Sequence, residues 1–451
     1  MTGGSPTAAQ PPLPRKGSLL GRAAIPEVLR GFDLDDQLRR SVHHLIYHEE
    51  MATTAIPSVI DLEKQYLLQN YARYPLVLHR GKGCYVYDTS GKRYLDLIAG
   101  IGVNALGYAH PRITKVIREQ AGLLLHTSNL YYHEYQGPLA ARIARASGLD
   151  RIFFCNSGAE SMEGALKMAR AHGRKIAPEK IEVISLENSF HGRTFGALSI
   201  TGQEKYRRDF EPLLTGVHFV PRNDLAALEQ VVCDRTAAIV FELVQGEGGI
   251  FPLTAEYIRK ARALADRHNA LLIFDEIQCG VGRPGTYFAY QMIEPPVLPD
   301  IMVAAKPMAC GIPLGVVAAK ESAAASIGSG MHGTTFGGGP LACRVALEFF
   351  DILDELLPNI VHVGGYFRMR LTDLAKRYSF IREIRGFGLM IGVELDIPGK
   401  QIVLDAMEEG LLINCTHDTV LRMLPPYILT EQDVDRAVTV LNRVLKKSKP
   451  V

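Results

Sequence analysis

Residues 271–315, LLIFDEIQCGVGRPGTYFAYQMIEPPVLPDIMVAAKPMACGIPLG, constrain the fold more than any other part of the chain. Leu271-Leu272-Ile273-Phe274 is a short apolar run bounded by polar residues, the pattern of a buried strand. It ends in Asp275 and Glu276. A second run, Ile301 to Ala305, ends in Lys306, and the breakers Gly311, Pro313 and Gly315 close it in a loop. In parallel α/β sheets ligands bind beyond the carboxyl ends of strands. Two strand ends thus deliver one carboxylate and one lysine to such an edge.

That pair suits pyridoxal phosphate chemistry. A lysine amine forms a Schiff base with the cofactor aldehyde, and an aspartate keeps the pyridine nitrogen protonated so that the ring accepts electrons. Either residue alone reads as a solvated strand end. The surrounding strings, FDEIQCGVGRPGTYFAY and PDIMVAAKPMACGIPLG, carry the pattern D-E-x-Q-x-G-x-G-R followed by A-K-x-x-x-x-G-x-P-x-G. They closely resemble the class III (ω-type) aminotransferase family. The resemblance implies Lys306 as the Schiff-base lysine, Asp275 as the pyridine partner and Gln278 as a contact to the ring hydroxyl. Pro307 departs from the glycine usual after that lysine.

The chain as a whole is compatible with this. Its 451 residues allow a large core and more than one domain. With 47% hydrophobic and 22% charged residues and a net charge of +2, nothing points to nucleic acid or an anionic membrane as partner. The seven cysteines are scattered without a C-x-x-C or His-Cys cluster, which fits reduced thiols in a cytoplasm and argues against a disulfide framework or a metal site. No apolar run approaches the roughly 20 residues of a membrane helix.

Residues 1–16 are rich in Gly, Pro, Ser and Thr and read as disordered. Residues 24–50 allow helices, for instance Asp35 to Tyr47, and fall outside the resemblance. Met51 opens a stretch similar to a family N-terminus. Between residues 71 and 111 the turn signals Gly81-Lys82-Gly83 and Thr89-Ser90-Gly91-Lys92 separate alternating strands. This β-rich segment resembles the family too, with Tyr108 where histidine is commoner. Its loop Gly100 to Asn104 reads equally as part of the substrate entrance and as a plain connection.

Further along, Arg151 to Phe154 reads as a strand leading into Cys155-Asn156-Ser157-Gly158-Ala159-Glu160 and a helix with apolar residues at Met162, Ala165, Leu166 and Ala169. A strand, a small-residue turn and a helix start form an anion site, because free N–H groups and the helix dipole converge there. Alone it reads first as a tight strand-to-helix turn. Its match to the family implies that Gly158 and Ala159 take the cofactor phosphate, with Ser157 close by. After a strand at Ile181 to Leu186 comes Asn188-Ser189-Phe190-His191-Gly192-Arg193-Thr194. Phe190 suits stacking on a ring and Arg193 a bidentate carboxylate contact, which are the roles the family implies. Taken alone, Phe190 fits a core and Arg193 a surface ion pair. His191 reads as a structural loop histidine.

A strand at Ala238 to Phe241 runs into Glu242-Leu243-Val244-Gln245-Gly246-Glu247-Gly248-Gly249. Here the resemblance implies that Glu247 pairs with Arg422 and acts as a gate. It also implies that MHGTTFGGGPLAC (residues 331–343) comes from the neighbouring subunit, with Thr335 on the cofactor phosphate and Thr334 near the substrate. Gly339 replaces the usual asparagine, and Pro340 is a good first helical residue. Helical patterning at Arg344 to Glu355 and Gly364 to Tyr378 gives way to a β-rich piece, Ile381 to Leu395. A last helix begins after the cap Thr430.

Six blocks in family order span about residues 60–445. They imply an α/β, type I pyridoxal-phosphate fold with a large, mostly parallel-sheet domain and a small α+β domain from both chain ends. The corresponding boundaries are an extension at 1–50, an N-terminal part of the small domain at 51–110, the large domain at 111–343 and the C-terminal small domain at 344–451. The implied activity is transamination of an ω-amino group by a cytoplasmic homodimer with shared active sites, with 2-oxoglutarate as acceptor and glutamate as product. The strings HTSNLYYHE and FHGRT are similar to the acetylornithine branch, which points to N-acetylornithine and arginine biosynthesis. Ornithine, succinylornithine, acetyl-lysine and 4-aminobutyrate stay open as donors. So does a same-fold aminomutase such as the glutamate-1-semialdehyde enzyme. A non-catalytic protein on this fold is disfavoured by the intact Lys306 and Asp275.

Overall fold

The computed structural model describes residues 58–448, so the expectations for residues 1–50 lie outside the described residues. The chain divides into two units, residues 1–77 and 78–451. Among the described residues of the first, the helix Val59–Tyr66 is N-capped by Ser58, whose Oγ accepts from Asp61 N.

The second unit is organised by a seven-stranded sheet. Its strands in chain order are β1 (Arg151–Cys155), β2 (Glu182–Leu186), β3 (Val217–Val220), β4 (Thr236–Glu242), β5 (Leu271–Asp275), β6 (Ile301–Ala304) and β7 (Gly315–Ala319). Their spatial order is β1-β7-β6-β5-β4-β2-β3. All are parallel except β7, which runs antiparallel to both β1 and β6. Every residue of β4, β5, β6 and β7 is buried. Strands covered on both faces are apolar along their interiors, which is why these segments read as continuous runs, with the polar Thr236, Glu242 and Asp275 only at strand ends.

The two faces are filled by different helices. Leu271, Ile273, Val240, Ile301 and Val303 pack with Met162, Ala165 and Ala169 of the helix Gly158–Ile176. Leu272, Phe274, Ile239 and Phe241 share the other core with Tyr257, Ala261 and Leu264 of the helix Ala255–Arg267. The alternation of consecutive residues between the two cores is the period of two expected of strands.

The smaller part is built from both sides of this sheet's sequence. An antiparallel meander, Leu78–Lys82, Tyr85–Asp88 and Arg93–Asp96, is extended by Leu411–Leu412, which pairs parallel to Arg93–Asp96. A second four-stranded sheet orders Ile381–Phe387, Met390–Leu395, Val420–Met423 and Asn414–Thr416 antiparallel. The helix Glu431–Lys447 starts with a capping box between Thr430 and Asp433.

One expectation needs correction. The two helices anticipated around residues 344–378 are one helix of 36 residues, Pro340–Ala375, with Pro358 inside it. Proline removes one ladder hydrogen bond, but burial of Phe349, Phe350, Leu353, Ile360, Val363 and Phe367 along the same helix outweighs that loss. Pro340 does occupy the first turn. No helix among the described residues is long and apolar enough to cross a membrane.

Candidate active site

Register brings the chemistry together. Asp275, the last residue of β5, lies opposite Glu242 on β4 and Val303 on β6. Lys306 follows β6 by two residues, with φ of +41°, at the start of a short 3-10 turn. This strained backbone turns the chain sharply off the sheet. A cavity of about 430 Å³ opens over these strand ends, lined by Ser157, Gly158 and Ala159 on one side and by Phe190, Arg193, Asp275, Gln278 and Lys306 elsewhere.

At the anion end, Ser157 is the N-cap of the helix Gly158–Ile176, its Oγ accepting from Glu160 N at 3.2 Å. The N–H groups of Gly158 and Ala159 find no acceptor among the described residues, so they are free to bind an anion at the helix N-terminus. A Cβ on Gly158 would stand 2.7 Å from Ile277 Cδ1. The neighbouring loop is equally tight. Gly192 has φ of +138°, and a Cβ there would stand 2.9 Å from the Cβ of Ala159, so the Phe190–Arg193 loop seats directly on the anion site.

At the far end, Asp275 is buried and accepts from Ile277 N at 3.0 Å and from His191 Nδ1 at 2.7 Å. His191 is itself sealed in, its backbone N–H held by Thr201 Oγ1 at 3.0 Å and its Nε2 buried without a partner among the described residues. The histidine expected to be merely structural therefore orients the carboxylate at the centre of the site. Glu242, also buried, accepts from Phe190 N at 3.0 Å and Gly246 N at 2.9 Å. Burial pushes its carboxyl up to about 7, with His191 opposing the rise and Asp275 adding to it. Neither role was evident in sequence. The only signal was that both residues flank strand ends of the same sheet.

Lys306 is half-buried, and its amine makes neither hydrogen bond nor ion pair among the described residues. Burial lowers its amine below the ordinary lysine value, and the facing carboxylate of Glu247 opposes this. Glu247 forms an ion pair with Arg422 at 2.5 Å. Burial works to raise the Glu247 carboxyl, but the charge and hydrogen bond of Arg422 hold it below the ordinary glutamate value. Arg422, almost wholly buried, also reaches Gln278 Oε1 at 3.1 Å and Asn414 Oδ1 at 3.2 Å. Arg193 is exposed, with its guanidinium 3.8 Å from the Tyr206 ring centroid and 5.5 Å from that of Phe190, and pairs with no carboxylate among the described residues.

Thr334 and Thr335 do not line the cavity of their own chain, although Thr334 bonds to Asn156, which does. The Thr334 hydroxyl accepts from Asn156 Nδ2 at 3.0 Å, and Thr335 is exposed beside the exposed ring of Phe336.

The donor set fits pyridoxal phosphate. Two N–H groups at a helix start match a phosphate, a half-buried amine without a partner among the described residues matches an aldehyde, and a buried carboxylate matches a pyridinium nitrogen. A sheet of this topology with this edge defines a type I pyridoxal-phosphate enzyme. The Aminotransferase class-III family profile matches residues 66–445. Acetylornithine aminotransferase of Methanocaldococcus jannaschii is 49% identical over 393 residues, covering 86% of this chain and 98% of that one. Acetylornithine aminotransferase of Aquifex aeolicus is 44% identical over 381 residues, covering 84% and 100%. Among solved structures, ornithine aminotransferase from Toxoplasma gondii superposes with a TM-score of 0.83 at 32% identity, covering 89% of this chain and 97% of that one. Acetylornithine aminotransferase from Elizabethkingia anophelis gives 0.77 at 30% identity, covering 86% and 98%. The chain belongs to the class-III aminotransferases, and it is a pyridoxal-phosphate-dependent enzyme.

Proposed function

We propose that this enzyme transfers the ω-amino group of N-acetylornithine to 2-oxoglutarate, giving glutamate, as a cytoplasmic homodimer with shared active sites. The observation that carries the reading is a pair of arginines in opposite states, Arg193 open and Arg422 masked by Glu247. Relatives named acetylornithine aminotransferase at 44–49% identity support the donor. Ornithine is the second reading, supported by the Toxoplasma gondii structure at lower identity.

The cofactor, when bound, supplies an aldehyde that captures amines and a ring that accepts the electron pair released at the substrate carbon. Gly158 and Ala159 would bind its phosphate through their N–H groups, and Phe190 would cover its ring. Asp275, held by His191, would keep the pyridine nitrogen protonated, and Gln278 would contact the ring hydroxyl. Lys306 Nζ would take up and return the proton of the substrate carbon, a task eased by an amine whose proton affinity burial has lowered.

The arginines address a geometric problem. The donor reacts at its terminal amine and keeps its α-carboxylate far away, on Arg193. Glutamate reacts at its α-carbon and needs a carboxylate partner close in, at Arg422, while Arg193 takes the distal carboxylate. With Glu247 closed on Arg422, the pocket presents no uncompensated inner cation to repel the terminal ammonium group of the donor. With Glu247 turned away, the same pocket accepts a dicarboxylate.

Dimerisation is supported by the exposed side chains of Leu130, Tyr131, Tyr132 and Phe336, too much apolar surface to leave in water. Asn129 Nδ2 donates to Gly337 O at 3.0 Å and joins the two segments that carry them. In this reading Thr335 reaches the cofactor phosphate of the neighbouring subunit and Thr334 lies near its substrate. All seven cysteines are free thiols, which supports a reducing compartment.

The direct test is steady-state kinetics with 2-oxoglutarate and each candidate donor. N-acetylornithine should give the highest kcat/KM. A higher value for ornithine, succinylornithine, acetyl-lysine or 4-aminobutyrate would move the assignment to that donor. Activity that does not need 2-oxoglutarate would replace it with an aminomutase.

A further inference from the structure

Glu247 sits on a hairpin in which Val244–Gln245 pairs antiparallel with Phe251–Pro252. The backbone of that hairpin is gripped by the same C-terminal sheet that carries Arg422. Thr416 Oγ1 donates to the carbonyl of Glu247 at 2.6 Å. Arg385 donates from Nε and Nη2 to the carbonyl of Gly249 at 3.0 and 2.7 Å, and from Nε to that of Ile250 at 3.1 Å. Its Nη1 is fixed in turn by Glu383 Oε2 at 2.9 Å and by Glu394, and its guanidinium lies 3.7 Å from the Phe251 ring centroid. Arg385 and Thr416 are both buried. The sheet also presses on the hairpin sterically, because a Cβ on Gly392 would stand 2.9 Å from the Cβ of Ile250.

The grips differ in kind. Arg422 holds a side-chain carboxylate that is a quarter exposed and can rotate away. Arg385 and Thr416 hold backbone carbonyls, and releasing those would leave buried polar groups without partners. We propose that Arg385 and Thr416 are positioning residues that lock the hairpin to the C-terminal sheet. Glu247 then opens and closes on Arg422 by side-chain rotation over a stationary backbone. This rests on the reading of Glu247 as a gate.

The test uses the holoenzyme and the variants Arg385→Gln, Thr416→Val and Glu247→Ala, with two readouts. One is the single-turnover rate of each half-reaction, and the other is the affinity for glutarate, a dicarboxylate that lacks a reacting amine. A loosened hairpin weakens the Glu247–Arg422 pair, so Arg422 becomes easier to reach. Glutarate should bind roughly threefold to tenfold tighter in Arg385→Gln and Thr416→Val, and the donor half-reaction should slow relative to the glutamate half. In a Glu247→Ala background neither substitution should add to the effect, because both act through the same carboxylate. Thr416→Val carries the test if Arg385→Gln does not fold. Equal slowing of both halves, or unchanged glutarate affinity, in an enzyme whose Glu247→Ala variant does split the halves overturns the positioning role and leaves the gate standing. A Glu247→Ala variant that splits nothing overturns the gate, and this proposal with it.

Discussion

At the residue scale, the pair His191–Asp275 makes the sharpest claim. A buried carboxylate that loses a hydrogen-bond donor is left poorly paired, at a cost of about 1–3 kcal/mol. That cost falls on the orientation and charge of the group facing the cofactor. His191→Leu should therefore weaken cofactor binding by on the order of tenfold or more, with His191→Gln recovering part of the loss, both measured by titrating apoenzyme with the cofactor. Unchanged affinity in the leucine variant would remove His191 from the site. Glu247→Ala makes a second claim: the donor half-reaction should suffer more than the glutamate half, by about tenfold or 1.4 kcal/mol, in single-turnover measurements. Equal effects would contradict the gate. That Lys306, Asp275, Gln278, Phe190 and Arg193 would share one cavity was legible in sequence because each lies in a short string with fixed spacing. His191 and Glu242 were not. Their partners are a strand away in space, and no local pattern records which buried polar groups will meet.

Elements were easier to read than their ends. The runs LLIF and IMVAA marked β5 and β6 because double burial leaves a strand no polar positions. The helix Pro340–Ala375 patterns as two helices in sequence, because Pro358 is a local signal and the packing of its neighbours is not. The turn that follows β5 carries a pH-dependent term of its own. Glu276 Oε2 accepts from Ala289 N at 2.7 Å and Oε1 from Tyr290 N at 3.0 Å, which fastens the loop to the strand end. Burial pushes this carboxyl from about 4.5 up to about 7. The folded state thus binds a proton that the unfolded state has already released. Its contribution is present below about pH 4.5 and is lost as pH rises through about 7, on the order of 3 kcal/mol in all. Glu276→Gln should flatten the fall in stability between pH 5 and about 7.5, read from denaturant midpoints. A slope identical to that of the parent would show that Glu276 does not titrate there.

For the whole molecule, the fold class followed from the order of the blocks, and the pairing of Leu411–Leu412 with Arg93–Asp96 shows how distant parts of the chain close one sheet. The expectation of a dimer comes only from the resemblance, since one chain's sequence does not say which surface meets a second copy. If Thr335 serves the neighbouring site, subunits carrying Lys306→Ala and Thr335→Ala should complement each other. A mixed dimer would then hold one site with both groups intact, and an equal mixture should recover about a quarter of the parent activity. No recovery above the separate variants would place Thr335 outside the partner's site.

The central claim is that Lys306 and Asp275 hold a pyridoxal cofactor poised to take the amino group of N-acetylornithine. It is tested most directly by the absorbance spectrum of the purified enzyme before and after that compound is added without any oxo acid. A visible band of lysine-bound cofactor that gives way to the shorter-wavelength band of its amine form is the predicted result. A band that ignores N-acetylornithine would contradict the substrate while keeping the cofactor. No band, even after cofactor is supplied, would contradict the account at its root.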